Sequence, residues 1–361
     1  MGCSSSKADG APIATDDDGF SSAKADGAKA PIATHDDGCS SSAKAPIDGS
    51  SPEEAPETPA APTDYDAADS EGLTEHKRIA FRIQRSGTDI LDHTPSSKDG
   101  PAFACSSVCG RRPQQEDAHV AARPLLSKDD EHLHMFGVFD GHGGQSCSKF
   151  VEEHLPPAIC KAVDAIWDDK DESSTQNALR SAFREVDSAF LASVGDSDEE
   201  VGSTAVVVIL EGQRLHCAWA GDSRAILCRA DGVVDQLSQD HKPNRPDEKE
   251  RIQSAGGCVY YNRVNGVLGV SRAFGDKVLK QWVPADPELV TLPLSPGDDF
   301  LVLACDGLWD VADNETVAEL VRKHTAAAGL RKAACALTTY AIRRGSSDNV
   351  TCMIVQLEAG S

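Results

Sequence analysis

From about Pro101 onward, blocks of apolar residues follow one another with two different periods. Runs of seven to nine residues rich in Val, Ile, Leu and Phe read as strands: "LHMFGVF", "STAVVVIL", "RLHCAWA", "RAILCRA", "DFLVLAC" and "NVTCMIVQL". Between them, apolar positions recur at helical spacing over residues 145–167, 175–192, 246–255, 314–324 and 330–344. "EGQR" and "ADG" are short enough to join neighbouring runs as hairpins, which makes the strands antiparallel. About 260 residues pass without an obvious linker, so one domain over 101–358 is expected, with helices laid on the outside of antiparallel sheets.

The periodicity fades on the N-terminal side. Residues 1–72 repeat imperfect copies of one phrase, as in "SSSKADGAPIATDDDG" and "SSAKADGAKAPIATHDDG". They lack regularly spaced apolar residues to bury, so a disordered low-complexity tail is expected. This tail holds 15 Asp and Glu against 4 Lys, a net of −11, out of −23 for the whole chain. The domain itself is therefore only moderately acidic. Residues 73–100 form a linker whose "HKRIAFRIQRSG" alternates basic and apolar residues, which suits either a strand or a docking segment.

Charge narrows the function classes. An acidic chain without clustered Lys and Arg is a poor match for a nucleic-acid phosphate backbone, so no nucleic-acid partner is expected. No apolar stretch reaches the roughly 20 residues that span a bilayer, and no secretory h-region is evident. The twelve cysteines form no C-x-x-C pair, and many sit in apolar runs, which indicates a reducing, cytoplasmic compartment. The opening "MGCSSSK" fits an acylation signal, with Gly2 as the myristoyl acceptor and Cys3 placed for palmitoyl. One acyl chain binds a membrane only marginally, and an acidic tail supplies no polybasic patch, so the second chain on Cys3 is the expected second signal. The localisation that follows is a lipid-anchored protein on a cytoplasmic membrane face. No coiled-coil pattern is present, and a monomer stands as the default.

The acids recur at one kind of place. Asp140 ends "MFGVFD", Asp222 ends "LHCAWAGD", Asp306 ends "FLVLACD" and Asp348 directly precedes the last run, while Glu116 and Asp117 open a short alternating stretch. Carboxylates at the edge of a core are costly, because lost solvation disfavours their charge. If several strand ends converge, something positive must hold them together. Lys or Arg would serve, but the neighbours are mostly Gly, and a hard cation such as Mg²⁺ or Mn²⁺ suits carboxylates, carbonyls and water better.

"RPQQEDAH", "FGVFDGHGG", "GSTAVVV", "AGDSRA", "DHKP" with "EKERIQSAGG", "VNGVLGVSRAFGD", "LVLACDGLWDV" and "SSDNVT" occur in this order. The series resembles the metal-dependent serine/threonine protein phosphatases of the type 2C (PPM) family, from about Pro101 to Leu357. The resemblance implies an α+β fold: a β-sandwich of two antiparallel sheets flanked by helices, in four layers α-β-β-α. It implies two Mg²⁺ or Mn²⁺ ions at one edge, bridged by Asp140. The Gly141 carbonyl, Glu116, Asp306 and Asp348 complete the metal ligands, with Asp117 in an outer, water-holding role. Arg112 would bind the substrate phosphate, and His142 would be the general acid. Asp222 and Asp310, with Asp306, match a weaker third metal position.

The implied reaction is hydrolysis of phosphoserine or phosphothreonine in proteins by a metal-bridged hydroxide, with His142 protonating the leaving alkoxide. The alternative is a non-catalytic pseudophosphatase that serves as a phosphoprotein-binding scaffold; loss of a bridging acid would favour it, and all of Glu116, Asp140, Asp306 and Asp348 are present. Beyond "SRAFGD" the sequence continues "KVLKQW", which departs from many relatives at the border of the region expected to shape peptide preference.

Overall fold

The computed structural model describes residues 83–85, 90–93 and 100–357, apart from 129–130, 169–170 and 196–199. The expected acylation residues Gly2 and Cys3 lie outside the described residues, as does the repetitive tail.

In chain order the strands and helices begin with β1 (Ile83–Arg85), β2 (Ile90–His93), β3 (Phe103–Val108), β4 (Ala118–Lys128), β5 (Glu131–Phe139) and β6 (Gly141–His142). Two helices follow, α1 (Ser146–Asp164) and α2 (Glu172–Ser193). Then come β7 (Gly202–Ser203), β8 (Ala205–Glu211), β9 (Arg214–Ala220), β10 (Arg224–Arg229), β11 (Val234–Gln236) and helix α3 (Pro246–Ser254). The chain continues through β12 (Val259–Tyr260), β13 (Arg263–Val264), β14 (Phe274–Gly275), β15 (Glu288–Pro293) and β16 (Asp298–Ala304). It closes with α4 (Asp306–Trp309), α5 (Asn314–Ala328), α6 (Leu330–Arg344) and β17 (Val350–Gln356).

Two six-stranded antiparallel sheets result, ordered β1-β4-β5-β8-β9-β15 and β11-β10-β16-β17-β3-β2. Side chains alternate between two apolar environments along every central strand, because successive residues face opposite sides of a sheet. On β8, Ala205, Val207 and Ile209 join a core under α1 and α2, whereas Val206, Val208 and Leu210 join the core between the sheets. On β16, Leu301 and Leu303 enter the inter-sheet core, whereas Phe300, Val302 and Ala304 face α5 and α6. The layers are therefore α-β-β-α. Strands covered on both faces must be apolar throughout, which is why they read as unbroken runs rather than alternating ones.

Three of the longer sheet strands lack such runs. β3 ("FACSSV") carries buried hydroxyls that are satisfied by neighbouring elements: Ser106 Oγ lies 3.0 Å from Thr338 Oγ1 of helix α6, and Ser107 Oγ 2.8 Å from Thr351 Oγ1 on the adjacent strand β17. β15 ("ELVTLP") is an edge strand left half-buried, so it has no need of an apolar run. β4 carries a polar residue, His119, at its second position among apolar ones and is interrupted in register between Ala122 and Leu126. The segment 73–100, read as a linker, contributes β1 and β2 as edge strands, one to each sheet.

The register places the site. Ala118 lies opposite Phe139, Ala205 opposite Ala220, Ala304 opposite both Arg224 and Cys352, and Val350 opposite Val108. The residues just outside these pairs, Asp117, Asp140, Asp222, Asp306 and Asp348, thus emerge at one edge of the sandwich.

Candidate metal centre

Backbone geometry brings the acids to this edge. The Thr204 N–H donates to the Asp140 carbonyl at 2.9 Å and so fixes the end of β5 against β8. Carboxylate oxygens of Asp140, Asp222 and Asp306 lie within 4.8 Å of one another, and so do the ligand atoms of Asp117, Asp140 and Cys305. Asp140 is thus common to both groups. Gly141 is pressed against the Glu116 carbonyl and Ser148, so that a Cβ there would overlap both. Glycine is the residue that allows this close approach.

The electrostatics of the group are unfavourable as it stands. Burial, then the charges of Asp306, Asp117 and Asp222, push the Asp140 carboxyl well above the usual carboxylate range, although one side of it reaches solvent. Burial and the nearby Asp222 and Asp310 raise Asp306 to about 8. Asp117 is fully enclosed and raised to about 6 by burial, against the hydrogen bonds it accepts from Thr351 Oγ1 (2.7 Å) and Cys305 Sγ (3.4 Å). Its Oδ1 is buried without a hydrogen-bond donor. Like charges this close stay ionised together only if a cation joins them. A hard divalent cation matches both the donor set and the orphaned oxygen.

Other expected residues stand around this core. Asp348 Oδ2 accepts from Arg112 Nη2 at 2.6 Å, which puts the half-exposed guanidinium directly beside the acids. Asp310 lies at the exposed rim, one helical turn after Asp306. The Glu116 carboxylate is outside both close groups. Its backbone is held instead: the N–H donates to Asn349 Oδ1 at 2.8 Å, and the carbonyl accepts from Ser148 Oγ. His142 Nε2–H donates to both oxygens of Asp276, at 2.9 and 3.0 Å. Burial opposes the imidazolium, but the Asp276 hydrogen bond and charge outweigh it and raise the His142 pKa. Gly202 leaves room for this pair, since a Cβ would overlap both Asp276 and His142.

Sequence reasoning missed three contributors. Asp276 lies in the quoted "SRAFGD", but its partner is 134 residues away, so nothing local announces the pairing. Asn349, beside the noted Asp348, donates to the carbonyls of Cys109 (2.8 Å) and Gln114 (2.9 Å) and so clamps the loop that carries Arg112. Lys242, in the quoted "DHKP", contacts Asp222. The structure also disposes of a competing motif: Cys105 and Arg111 have the C-x5-R spacing used by cysteine-nucleophile phosphatases. Cys105 is buried in mid-strand, and burial pushes its thiol far above the reactive range.

A sandwich of this layering brings together at one edge acids that could hold a metal ion. The sequence model of the family "Protein phosphatase 2C" matches residues 102–350, and the chain belongs to that family. It is 41% identical over 268 residues to "Probable protein phosphatase 2C 52" of Oryza sativa subsp. japonica, a match covering 73% of this chain and 52% of the relative. It is 40% identical over 258 residues to "Probable protein phosphatase 2C 59" of Arabidopsis thaliana, covering 71% and 79%. The chain thus spans about half of the rice relative's length. Among solved structures, the serine-threonine phosphatase 2C from Toxoplasma gondii superimposes with a TM-score of 0.66 at 25% identity, covering 74% of this chain and 98% of that one. A C. elegans sex determining protein gives 0.64 at 28%, covering 71% and 65%.

Proposed function

We propose that this protein hydrolyses phosphoserine and phosphothreonine in proteins, using two Mg²⁺ or Mn²⁺ ions held at the acidic edge. The observation that carries the reading is the group around Asp140, whose carboxylates repel one another and whose central acid has no basic partner among the described residues, in a chain of the protein phosphatase 2C family. When bound, the ions would supply an acidified water as nucleophile and positive charge against the phosphoryl oxygens.

The chain's own residues have separate tasks in this reading. Asp140, the Gly141 carbonyl, Glu116, Asp306 and Asp348 would hold the ions, Asp140 being the acid common to both close groups. Asp117, enclosed and hydrogen-bonded by Thr351, supports Asp140 from behind. Arg112, set beside the acids by its Nη2 contact with Asp348, orients the substrate phosphate, a task suited to a planar fork of donors. His142 delivers a proton to the departing serine or threonine oxygen. Asp276 occupies Nε2, so Nδ1 is the atom left for that transfer. In the full chain, acyl groups on Gly2 and Cys3 tether the domain to a cytoplasmic membrane face, where phosphoproteins are its substrates.

The test uses purified protein, a phosphothreonine peptide, and Mn²⁺ or Mg²⁺ with and without EDTA. Release that requires metal and disappears in Asp140→Asn supports the reading; no release with any metal overturns it. The tether is tested by fractionating cells that express Gly2→Ala and Cys3→Ser. Membrane association equal to the parent in both would remove it.

A further inference from the structure

Within the acidic edge, one corner is not left to mutual repulsion. Lys242 Nζ donates to Asp222 Oδ2, and the same ammonium feels the charges of Asp306 and Asp310. Asp222 is almost completely enclosed, with 4% of its side chain exposed, so Lys242 is its immediate counter-charge. Asp140 differs: among the described residues no basic side chain is hydrogen-bonded or ion-paired to it.

The lysine is delivered by a rigid clasp. The His241 N–H donates to the Gly221 carbonyl at 2.9 Å, and the Gly221 N–H donates to His241 Nδ1 at 3.1 Å. His241 is completely buried, and its own carbonyl accepts from the Ser271 N–H at 2.9 Å. Residues 221 and 241 are therefore locked together, and the residues that follow each, Asp222 and Lys242, are held side by side. A lysine merely lying on a surface would not need this support, because its four-carbon stem finds partners freely.

We infer that Lys242 is a tethered counter-ion for the Asp222 corner, and that a divalent cation taking Asp222, Asp306 and Asp310 as ligands must first displace it. The inference rests on the metal-centre reading given above and concerns only its weakest position. It supplies a reason for weakness in the chain itself. The two positions around Asp140 share a central carboxylate that no basic side chain among the described residues contacts, and the Asp348 there is paired only with a half-exposed Arg112, whereas this one presents an enclosed carboxylate already paired. An entering ion loses the Lys242–Asp222 contact and gains a neighbouring positive charge. Swinging the ammonium outward is feasible, since 31% of the lysine side chain is exposed. The corner then alternates between a bound lysine and a bound metal, so that occupancy follows the free divalent concentration.

Calorimetric titration of the full chain with Mn²⁺, checked by counting bound Mn²⁺ through its paramagnetic signal, tests this. The expected result is a weak class of binding that tightens at least about tenfold in Lys242→Met and in Lys242→Gln, as removal of one charge a few ångströms from a divalent ion requires. Lys242→Arg keeps the charge and should stay close to the parent. The tight class should be unchanged in all three, and Asp222→Asn should abolish only the weak class. Circular dichroism on each variant confirms that it is folded. A weak class that is unchanged or weakened in both neutral variants overturns the inference, because Lys242 would then be orienting Asp222 rather than competing for it. A parent chain that binds no Mn²⁺ at all overturns the metal-centre reading instead, which keeps the two failures apart.

Discussion

Two clusters of carboxylates in this chain have similar composition and opposite surroundings. Asp247, Glu248 and Glu288 bring oxygens as close together as the acids at the sandwich edge do. Arginines meet them: Arg272 Nη2 and Arg251 Nη2 donate to Glu248 at 2.7 and 2.6 Å, and Arg245 spans Asp247 and Glu288. Against burial, these contacts hold Glu248 far below the usual carboxylate range, and His241 and Arg245 hold Glu288 at about 2. At the edge, Asp140, Asp117 and Asp306 are shifted the other way. Proximity of acids is thus no sign of a metal site by itself. What matters is how far the fold has already supplied the positive charge: at the edge it reaches Asp222 through Lys242 and Asp348 through Arg112, but among the described residues no basic side chain pairs with Asp140 or Asp117.

The largest effect expected from this contrast is on catalysis. Asp140→Asn should lower metal-dependent turnover of a phosphothreonine peptide by about a thousandfold or more, since the position serves both close acid groups. In EDTA the same change should raise the melting temperature, because it removes a buried, repelled carboxylate. Glu248→Gln should do the reverse. It leaves Arg251 and Arg272 facing a neutral amide inside the protein, and breaking a buried pair costs about 3–5 kcal/mol. Thermal unfolding of both variants in EDTA checks the sign. Equal destabilisation by the two would dissolve the distinction between the clusters.

Asp276 is an intermediate case: a buried acid matched by a single imidazole rather than by arginines or a cation. His142→Ala should therefore separate substrates by leaving group. Loss of about a hundredfold is expected on the phosphothreonine peptide, within the usual range for a general acid, and little on an aryl phosphate whose leaving group needs no proton. Parallel losses on both substrates would assign His142 to structure instead.

The two clusters also differ in how far the sequence exposed them. The edge acids were legible because each lies at one end of a strand-like stretch, and a run covered on both faces is the clearest strand signal available. Their roles came with an ordered series of motifs rather than from any one residue. The arginine-filled cluster was not legible, since Arg245, Arg251, Arg272 and Glu288 come from a loop, a helix, a second loop and an edge strand, with no shared period. The same reason hid Asp276 and the counter-charge role of Lys242: side chains that pair across tens or hundreds of residues leave no local trace. β3 and β15 were missed because one satisfies its interior with hydroxyls and the other is half-exposed.

The smallest expected effect is the most direct reading of the difference in charge. An acid with a raised folded pKa keeps its proton in the native chain at a pH where the unfolded chain has lost it, so stability falls as pH rises between the two values. For Asp306 that window runs from the ordinary 3.8 to about 8, and for Asp117 from 3.8 to about 6. Glu288 behaves oppositely: its contribution is complete above the ordinary carboxylate range and fades only as pH drops towards 2. Between pH 5 and 8 the edge cluster should therefore slope stability downward, opposed up to about pH 6.5 by His119 and His134, which burial holds at about 4. One pKa unit corresponds to about 1.4 kcal/mol, and each kcal/mol moves the melting temperature of a domain this size by roughly 2–4 °C. The melting temperature in EDTA should accordingly fall by several degrees across that interval, and saturating Mg²⁺ should flatten the curve by supplying the missing charge. A curve that is flat in EDTA, or one that Mg²⁺ leaves sloping, would mean that the edge acids are neutralised from within, as their arginine-paired counterparts are.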